Sequence, residues 1–209
     1  TDDDFNYDTP KSTIPGIKLN YKIVWRAHDN NFWWMECSGV KFDTIHDANE
    51  IQYEMKRIAY GVWEYMKNHP DGRAKNYDLD WIGAIPAKRE SVRYVGPYTL
   101  TQDDVVSGGH FEDVVAYGGW TLDDHDPNGF MNKGLASTEY IVNQGYGIPF
   151  DCLYSINVPN LMFAGRDIST SHMAFSGIRV MATTALIGQA AGTAAAMIIE
   201  KDTTPAGLR

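Results

Sequence analysis

A cluster of polar and charged residues begins after Gly165, where an apolar run ends. Arg166, Asp167, Ser171 and His172 all fall within the next seven residues. They supply two opposite charges, a hydroxyl group and an imidazole, which is the side chain that exchanges a proton most readily near neutral pH. This composition predicts a ligand site in which His172 is a candidate base or orienting group. The alternative is a strand-to-loop turn with a surface ion pair and a structural histidine.

A second group of candidates lies upstream and consists of Arg89, Arg93 and His125. Two arginines four residues apart on an extended segment without a bulge share one face, where they could hold an anionic or polyhydroxyl substrate. Salt bridges to nearby acidic residues such as Glu90 are an equally good interpretation. His125 competes with His172 for the role of base, so we predict these two histidines and two arginines as the catalytic group.

A third pattern, from Asp124 to Gly129, matches the first half of a calcium-binding loop. The bidentate Glu that closes such a loop is missing, because the twelfth position is Leu135, and Pro127 is unusual there. A turn built by Asp and Asn side chains explains the same residues. We predict no metal site, and calcium remains the weaker alternative.

The elements expected to position the first cluster are a buried strand and a long helix. Leu161–Ala164 is an apolar run typical of a strand buried on both faces. Residues 180–199 carry no charge and predict a helix with one ridge of small residues at four-residue spacing, Thr184, Gly188, Gly192 and Ala196. Such a ridge predicts close packing against a neighbour. Strand, loop and helix together favour a ligand at the carboxyl end of an α/β sheet.

Periodicity and turn residues predict the remaining elements. Residues 47–68 form an amphipathic helix, with an N-terminal capping signal at Asp47 and Glu50. Tyr21–Trp25 and Phe32–Glu36 form a hairpin. Further strands are expected over residues 91–100, 114–120 and 148–154, with a loop over 123–133. The buried face of the helix is expected to contain Ile51, Met55, Ile58, Val62 and Tyr65.

Read with its upstream motifs, the C-terminal segment resembles the end of the FAD-dependent oxidoreductases. In that family a strand ending in Ala-Gly-Arg reaches the flavin, and a helix near Gly-Gln-Ala-Ala-Gly packs beneath it; Ala164–Arg166 and Gly188–Gly192 match these motifs. The resemblance covers about residues 80–200. Other segments match in order and spacing: Arg89-Glu90, residues 93–101, Gly119-Trp120, Asp123, His125 and Ile148–Phe150.

The resemblance implies FAD as the cofactor and transfer of a hydride from a small-molecule substrate to the flavin. The substrate is expected to be a sugar, another polyhydroxyl compound or an anionic compound. The resemblance places Gly165, Arg166 and Asp167 against the ribityl chain and pyrophosphate of FAD, with Ser171 and Arg179 on the same cofactor-binding surface. His172 would face the isoalloxazine ring.

The resemblance also places Gly188, Gln189 and Ala190 near the flavin pyrimidine ring. Backbone N–H groups at a helix N-terminus stabilise negative charge that develops there on reduction. That role requires the helix to begin near Gly188. If the helix runs unbroken from Val180, Gly188 is only a packing residue, and periodicity does not separate the two cases.

The resemblance implies an α/β fold, in which residues 1–155 form an α+β substrate-side region. Residues 156–209 would be the C-terminal strand, loop and helix of a Rossmann-like FAD-binding domain. The glycine-rich strand–turn–helix that holds the FAD pyrophosphate is missing from the sequence, since Gly145–Gly147 runs directly into Ile148-Pro149. We therefore expect an N-terminal remainder of the same protein to supply it, and the 209 residues alone to be inactive.

The charge, the apolar content and the cysteine spacing of the sequence argue against several other classes of partner. A net charge of −9 argues against a nucleic-acid partner. The uncharged stretch of residues 180–199 has the length of a membrane span, but its Ala, Gly and Thr content favours a helix within an α/β domain, and we predict no membrane partner. Cys37 and Cys152 have no metal-binding spacing, which favours two buried thiols over one disulfide. The sequence assigns no compartment.

The main alternative function is a carbohydrate-binding or polysaccharide-processing module without flavin. Six tryptophans and twelve tyrosines could supply stacking platforms for sugars. Trp33 and Trp34 are adjacent and point to opposite faces of a strand, so at least one is expected in a core. This alternative leaves the helix of small residues unexplained, as does a third one, a non-catalytic structural module.

Overall fold

The chain folds as two units, which we describe separately. The computed structural model describes residues 43–72, 74–125 and 137–209, together with the backbone of residues 21–27 and 30–35. The first unit takes the described residues up to Arg89 and also His125; the second takes Glu90–Asp124 and Ser137–Arg209. Helices and small antiparallel sheets occur together, so the mixed α/β class is confirmed. The division at residues 155 and 156 into substrate-side and FAD-binding domains stays a prediction.

The first unit contains a β-hairpin and one long helix. Strands β1 (Tyr21–Ala27) and β2 (Asn30–Met35) pair antiparallel, as expected. Helix α1 (Ala48–Lys67) buries Ile58, Val62 and Met66, which recur every four residues.

The start of α1 is formed differently from the expected capping box. The Asp47 side chain makes no capping hydrogen bond to the helix. Its carboxylate instead accepts the backbone N–H of Asp43 at 2.8 Å, while the Asp43 carboxylate accepts the N–H groups of Ile45 and His46, each at 2.8 Å. The two aspartates therefore fold the preceding turn rather than the first turn of the helix.

The second unit contains two small two-stranded sheets. Strands β3 (Val114–Gly118) and β6 (Tyr146–Pro149) pair with each other, and β4 (Leu122–His125) pairs with β5 (Ser137–Tyr140). The Tyr146 ring is fully buried, and a Cβ added at Gly118 would lie 2.3 Å from it. Only glycine fits beneath this ring. Burial also raises the pKa of the Tyr146 phenol to about 12.

The strand expected over residues 91–100 does not form. Its backbone donors reach separate loops: Tyr94 N–H donates to the Asp167 carbonyl, Tyr98 N–H to Asp151 and Leu100 N–H to Ser169. Leu100 alone makes a bridge, with Thr170. Residues 96 and 97 are Gly and Pro, which interrupt a regular ladder. The segment is extended but irregular, and α2 (Gln102–Ser107) follows it with a capping box between Thr101 and Asp104.

Two further strand boundaries were wrong. Residues 150–152 turn into a 3₁₀ helix directly after β6, so the expected strand over 148–154 stops at Pro149. The run Leu161–Ala164 makes only one bridge, between Met162 and Tyr154, because this turn leaves little extended chain to pair with. Cys152 lies in the turn as a buried free thiol, and burial raises its pKa to about 12. Cys37 lies outside the described residues.

Three helices complete the second unit: α3 (His172–Ile178), α4 (Met181–Glu200) and α5 (Pro205–Leu208). Helix α4 runs unbroken over 20 residues and buries one narrow stripe of Thr183, Ile187 and Ala194. Among the described residues, α4 alone is long and apolar enough to cross a bilayer by length and composition, and 17% of its most apolar window is buried. A helix that packs against protein passes the same test.

Candidate functional site

The side chain of His172 lies between two carboxylates in the second unit. Its Nδ1 is 2.8 Å from Glu90 Oε2, and its Nε2 is 3.2 Å from Asp124 Oδ1. The imidazole side chain is 49% exposed, compared with 21% for Glu90 and 28% for Asp124. The ring is thus held at both nitrogens and still reaches solvent, so a ligand could approach it and exchange a proton.

Local structure fixes where His172 stands. It is the first residue of α3, and the hydroxyl of Ser171 accepts the backbone N–H of Ala174 at 3.3 Å as the N-cap. The backbone N–H of Ser171 donates to the Leu100 carbonyl at 2.8 Å. The start of α3 is therefore tied to the extended segment that also carries Glu90. Ser171, predicted to bind the cofactor, has a capping role in this structure, and its contact with FAD stays a prediction.

Glu90 also binds Arg93. One Glu90 oxygen faces the Arg93 guanidinium and the other faces His172, so a single carboxylate bridges the two side chains. Burial lowers the pKa of Arg93 from its usual value. The salt-bridge interpretation of Arg93 is confirmed. The expectation that Arg89 and Arg93 share a strand face is wrong, since the segment is not a strand.

Arg179 lies at the other end of α3 and binds Asp123. It is the C-cap residue of α3, seven residues after His172, so the two side chains share one face of the helix. An Arg179 Nη2 hydrogen bond reaches Asp123 Oδ2. Its Nε is buried and has no hydrogen-bond partner among the described residues. Two consecutive β4 residues, Asp123 and Asp124, thus bind the side chains at the two ends of α3.

Sequence analysis missed the two carboxylates that hold His172. The sequence patterns single out Glu90 only as a salt-bridge partner and as part of the Arg89-Glu90 motif, and Asp124 only as part of a calcium-like loop. The chain separates them from His172 by 82 and 48 residues, so no local spacing connects them. The sequence signal that could have identified these two carboxylates is their position next to Arg89 and His125, two candidate site residues.

Arg89 and His125 belong to the first unit, whereas His172 and Arg93 belong to the second. Arg89 and His125 each have an interaction partner. Their assignment to the catalytic group stays a prediction. Within the described residues, no group of three His, Cys, Asp or Glu side chains is placed to hold a metal ion. Residues 126–136 of the calcium-like loop lie outside the described part of the chain.

The residues predicted to bind the FAD pyrophosphate form a 3₁₀ turn, Gly165–Asp167, that lies against α4. Gly165 has a φ of 75°, and a Cβ there would meet no atom within 4 Å. Arg166 and Asp167 are exposed. The turn is anchored by the Tyr94 N–H, which donates to the Asp167 carbonyl at 2.9 Å, and by stacking of Tyr94 on Phe163.

Gly188, Gln189 and Ala190 lie in the interior of α4, which begins at Met181. The alternative in which a helix opens at Gly188 is therefore wrong, because the helix continues through these amides. The expectation of close packing along the ridge is also wrong within the described residues: a Cβ at Gly188 or Gly192 would meet nothing within 4 Å. Contact of this face with FAD stays a prediction.

The sequence model of the family described as FAD dependent oxidoreductase matches residues 3–209, nearly the whole chain. No curated protein and no solved structure matches the chain.

Proposed function

The chain belongs to the FAD dependent oxidoreductase family, and from this premise we propose that it helps transfer a hydride from a small-molecule substrate to FAD, with His172 as the acid–base group. The carbohydrate-module alternative gains no support from the family match. The absence of the glycine-rich fingerprint supports a longer protein in which another segment binds the pyrophosphate, so that these 209 residues are inactive alone.

The second unit has donors and open surface that fit FAD. Arg179 carries a buried, unsatisfied N–H donor, and such donors normally have an acceptor in the native assembly. Gly165 leaves open space beside an exposed arginine and an exposed aspartate, which suit phosphate and ribityl hydroxyl groups respectively. We propose that Gly165, Arg166, Asp167 and Arg179 hold the cofactor, with the uncovered face of α4 beside it.

The placement of His172 between Glu90 and Asp124 is the observation that carries this proposal. When bound, FAD supplies a two-electron acceptor for the hydride. His172 supplies the place for the substrate proton, at Nε2. Glu90, whose Oε2 lies 2.8 Å from Nδ1, orients the ring and stabilises the positive charge that forms when Nε2 takes the proton. Arg93 holds Glu90 in place, so the imidazole cannot turn away from the substrate.

The test is replacement of His172 in the flavin-loaded protein. We expect His172→Ala and His172→Gln to slow anaerobic flavin reduction by ~10²–10⁴-fold at saturating substrate, because general-base catalysis is lost. FAD content should stay at the parent level in both variants. Stopped-flow absorbance of the flavin measures the rate, and the released cofactor measures the content.

His110→Ala is the matched control, since His110 is an exposed histidine of the same unit outside the cluster. His125→Ala tests the competing assignment. Parent-like reduction by His172→Ala, together with a large loss in His125→Ala, would move the base to His125. Parent-like reduction by both variants would contradict a histidine base.

A further inference from the structure

We propose that the first unit carries a groove that binds one ring of an uncharged saccharide. The groove is formed by residues of the first unit, so neither FAD nor His172 takes part in it. A flavin-dependent protein can carry such a site, which does not require the flavin-free module considered as the alternative function. The described lining residues come from helix α1 and from the segment after it: Lys56, Tyr60, Leu79, Asp80, Trp81 and Ile82.

Side chains of α1 hold the two walls of the groove together. At one end, the Lys67 ammonium group donates a hydrogen bond to the Lys75 carbonyl at 3.1 Å. At the other end, the Gln52 side-chain amide donates to the Ala84 carbonyl at 2.6 Å. Both anchors lie on the stripe of α1 that lines the groove between them. The fold therefore sets the width of the groove before a ligand arrives, which lowers the cost of binding.

Two aromatic side chains give the groove its apolar surface. Trp81 is 72% exposed and Tyr60 is 58% exposed, so both rings present a large apolar area to solvent. Aromatic rings gathered at one opening, unlike apolar residues scattered singly, mark a ligand or partner site. A pyranose ring can present a face of C–H groups, and this face packs on an aromatic ring while the hydroxyl groups point outward.

Two opposite charges limit the charge of the ligand. Lys56 and Asp80 are exposed, and neither makes an ion pair or a hydrogen bond with another residue in the described part of the chain. An ammonium group only donates hydrogen bonds and a carboxylate only accepts them, whereas a hydroxyl group does both. Asp80 repels an anion and Lys56 repels a cation. An uncharged ligand with several hydroxyl groups satisfies both side chains.

A free amino acid is the main competing ligand, because a zwitterion also carries both charges. Exposed ion pairs contribute little free energy in water, so a zwitterion gains little from Lys56 and Asp80 at an open groove. A saccharide offers hydroxyl groups to the same two side chains and a C–H face to the rings. L-Tryptophan combines both charges with an aromatic ring and is therefore the competitor in the test.

The size of the groove limits the ligand to one ring. Its volume is about 240 Å³. Sites that hold whole drug-sized ligands have volumes of roughly 300–1,000 Å³. One ring of a longer saccharide fits, and the rings on either side of it remain in solvent.

The test measures ligand binding to the full-length, flavin-loaded protein by saturation-transfer NMR. The uncharged probes are the methyl glycosides of D-glucose, D-galactose and D-mannose. The methyl glycosides of D-glucuronate and D-glucosamine supply an anion and a cation on the same ring, and L-tryptophan supplies the zwitterion. We expect an uncharged glycoside to bind most tightly.

Replacement of Trp81 tests whether the ligand lies in the groove. Trp81→Ala should weaken binding of the best glycoside by ~10-fold or more, because the stacking surface is lost. Trp81→Phe keeps an aromatic ring and should restore most of this binding. Tyr53→Ala is the matched control, since Tyr53 is also 72% exposed but does not line the groove, and it should leave binding unchanged. Because Trp81 is exposed, its variants should unfold at the parent urea midpoint.

Replacement of each charge tests the assignment of an uncharged ligand. Asp80→Asn leaves the Lys56 charge alone in the groove and should move the preference toward the glucuronide by a few-fold. Lys56→Gln leaves the Asp80 charge alone and should move it toward the glucosaminide by a similar factor. Unchanged preferences in both variants would overturn this assignment.

Three outcomes overturn the saccharide groove. They are no binding by any glycoside, glycoside binding that survives Trp81→Ala, and tighter binding by L-tryptophan than by every glycoside. The proposed function fails separately. Parent-like flavin reduction in both His172→Ala and His125→Ala contradicts a histidine base and leaves the groove standing. Loss of glycoside binding in Trp81→Ala at parent FAD content supports the groove, whichever compound reduces the flavin.

Discussion

Helices α1 and α4 are both 20 residues long, but they differ in how much of their apolar surface is buried against the rest of the chain. Helix α1 alternates apolar and charged residues, and its apolar stripe is buried in the first unit. Helix α4 is apolar or small almost all round, yet only Thr183, Ile187 and Ala194 are buried. Met181 and Ile199, at its two ends, are 88% and 80% exposed.

This difference shows that the apolar residues of a helix specify different things in the two cases. In α1 the pattern specifies which face is inside, and the chain itself provides the partner. In α4 the pattern specifies only that most of the surface is apolar, and the described residues cover a narrow stripe of it. A helix that is apolar all round is ordinarily buried all round. The function proposed above, with FAD beside α4, accounts for part of this surface.

The largest expected effect comes from placing a charge in the stripe of α1. Ile58 is 1% exposed, so Ile58→Asp loses apolar burial and also buries an unpaired carboxylate. We expect a loss of about 4 kcal/mol or more in the free energy of unfolding of the first unit. Urea denaturation measures it. Tyr53→Asp is the control on the exposed side of the same helix and should stay within about 0.5 kcal/mol of the parent.

A smaller effect is expected when a large side chain is removed from the buried stripe of α4. Ile187 is 0% exposed and Leu186, its neighbour, is 44% exposed. Ile187→Ala should cost about 2–4 kcal/mol, because it leaves a cavity in the core of the second unit. Leu186→Ala should cost less than about 1 kcal/mol. Equal costs for the two changes, measured by thermal or urea unfolding, would show that the narrow stripe is not what holds α4.

The smallest effect, of opposite sign, is expected on the uncovered ridge. Gly192→Ala should stabilise the 209-residue chain by up to about 1 kcal/mol, because alanine favours the helix and meets no neighbour. A rise in the urea midpoint would support an open ridge, and a fall would indicate a neighbour. Gly192→Leu extends this test to the flavin-loaded protein. Lowered FAD content with an intact fold would indicate that the ridge is covered in that protein.

Sequence patterns predicted the elements whose hydrogen bonds are local. The hairpin of β1 and β2, helix α1 and helix α4 follow from periodicity and turn residues within each segment. Residues 91–100 and Leu161–Ala164 were mistaken for strands because their apolar and β-branched composition is that of a strand. The backbone hydrogen bonds of residues 94–100 go instead to loops far along the chain, which no local pattern reveals, whereas those of Leu161 and Phe163 go to the preceding turn at residues 153–158.

The candidate site shows the same limit. His172 and Arg93 were found from their residue types, because imidazole and guanidinium groups near conspicuous motifs are chemically distinctive. Glu90 and Asp124 acquire their roles only where the chain brings them to His172. Carboxylates are common on protein surfaces, so their composition gives no signal until the fold places them.

The pairing of consecutive β4 carboxylates with the two ends of α3 has an evolutionary consequence. A one-residue insertion or deletion ahead of Asp123 would shift every β4 side chain by one position along the strand. One aspartate would then take the other's place and a different residue would fill the vacated place, so a single such change would remove the partner of either His172 or Arg179. As this protein evolves, it should therefore accept substitutions around β4 far more readily than insertions or deletions there.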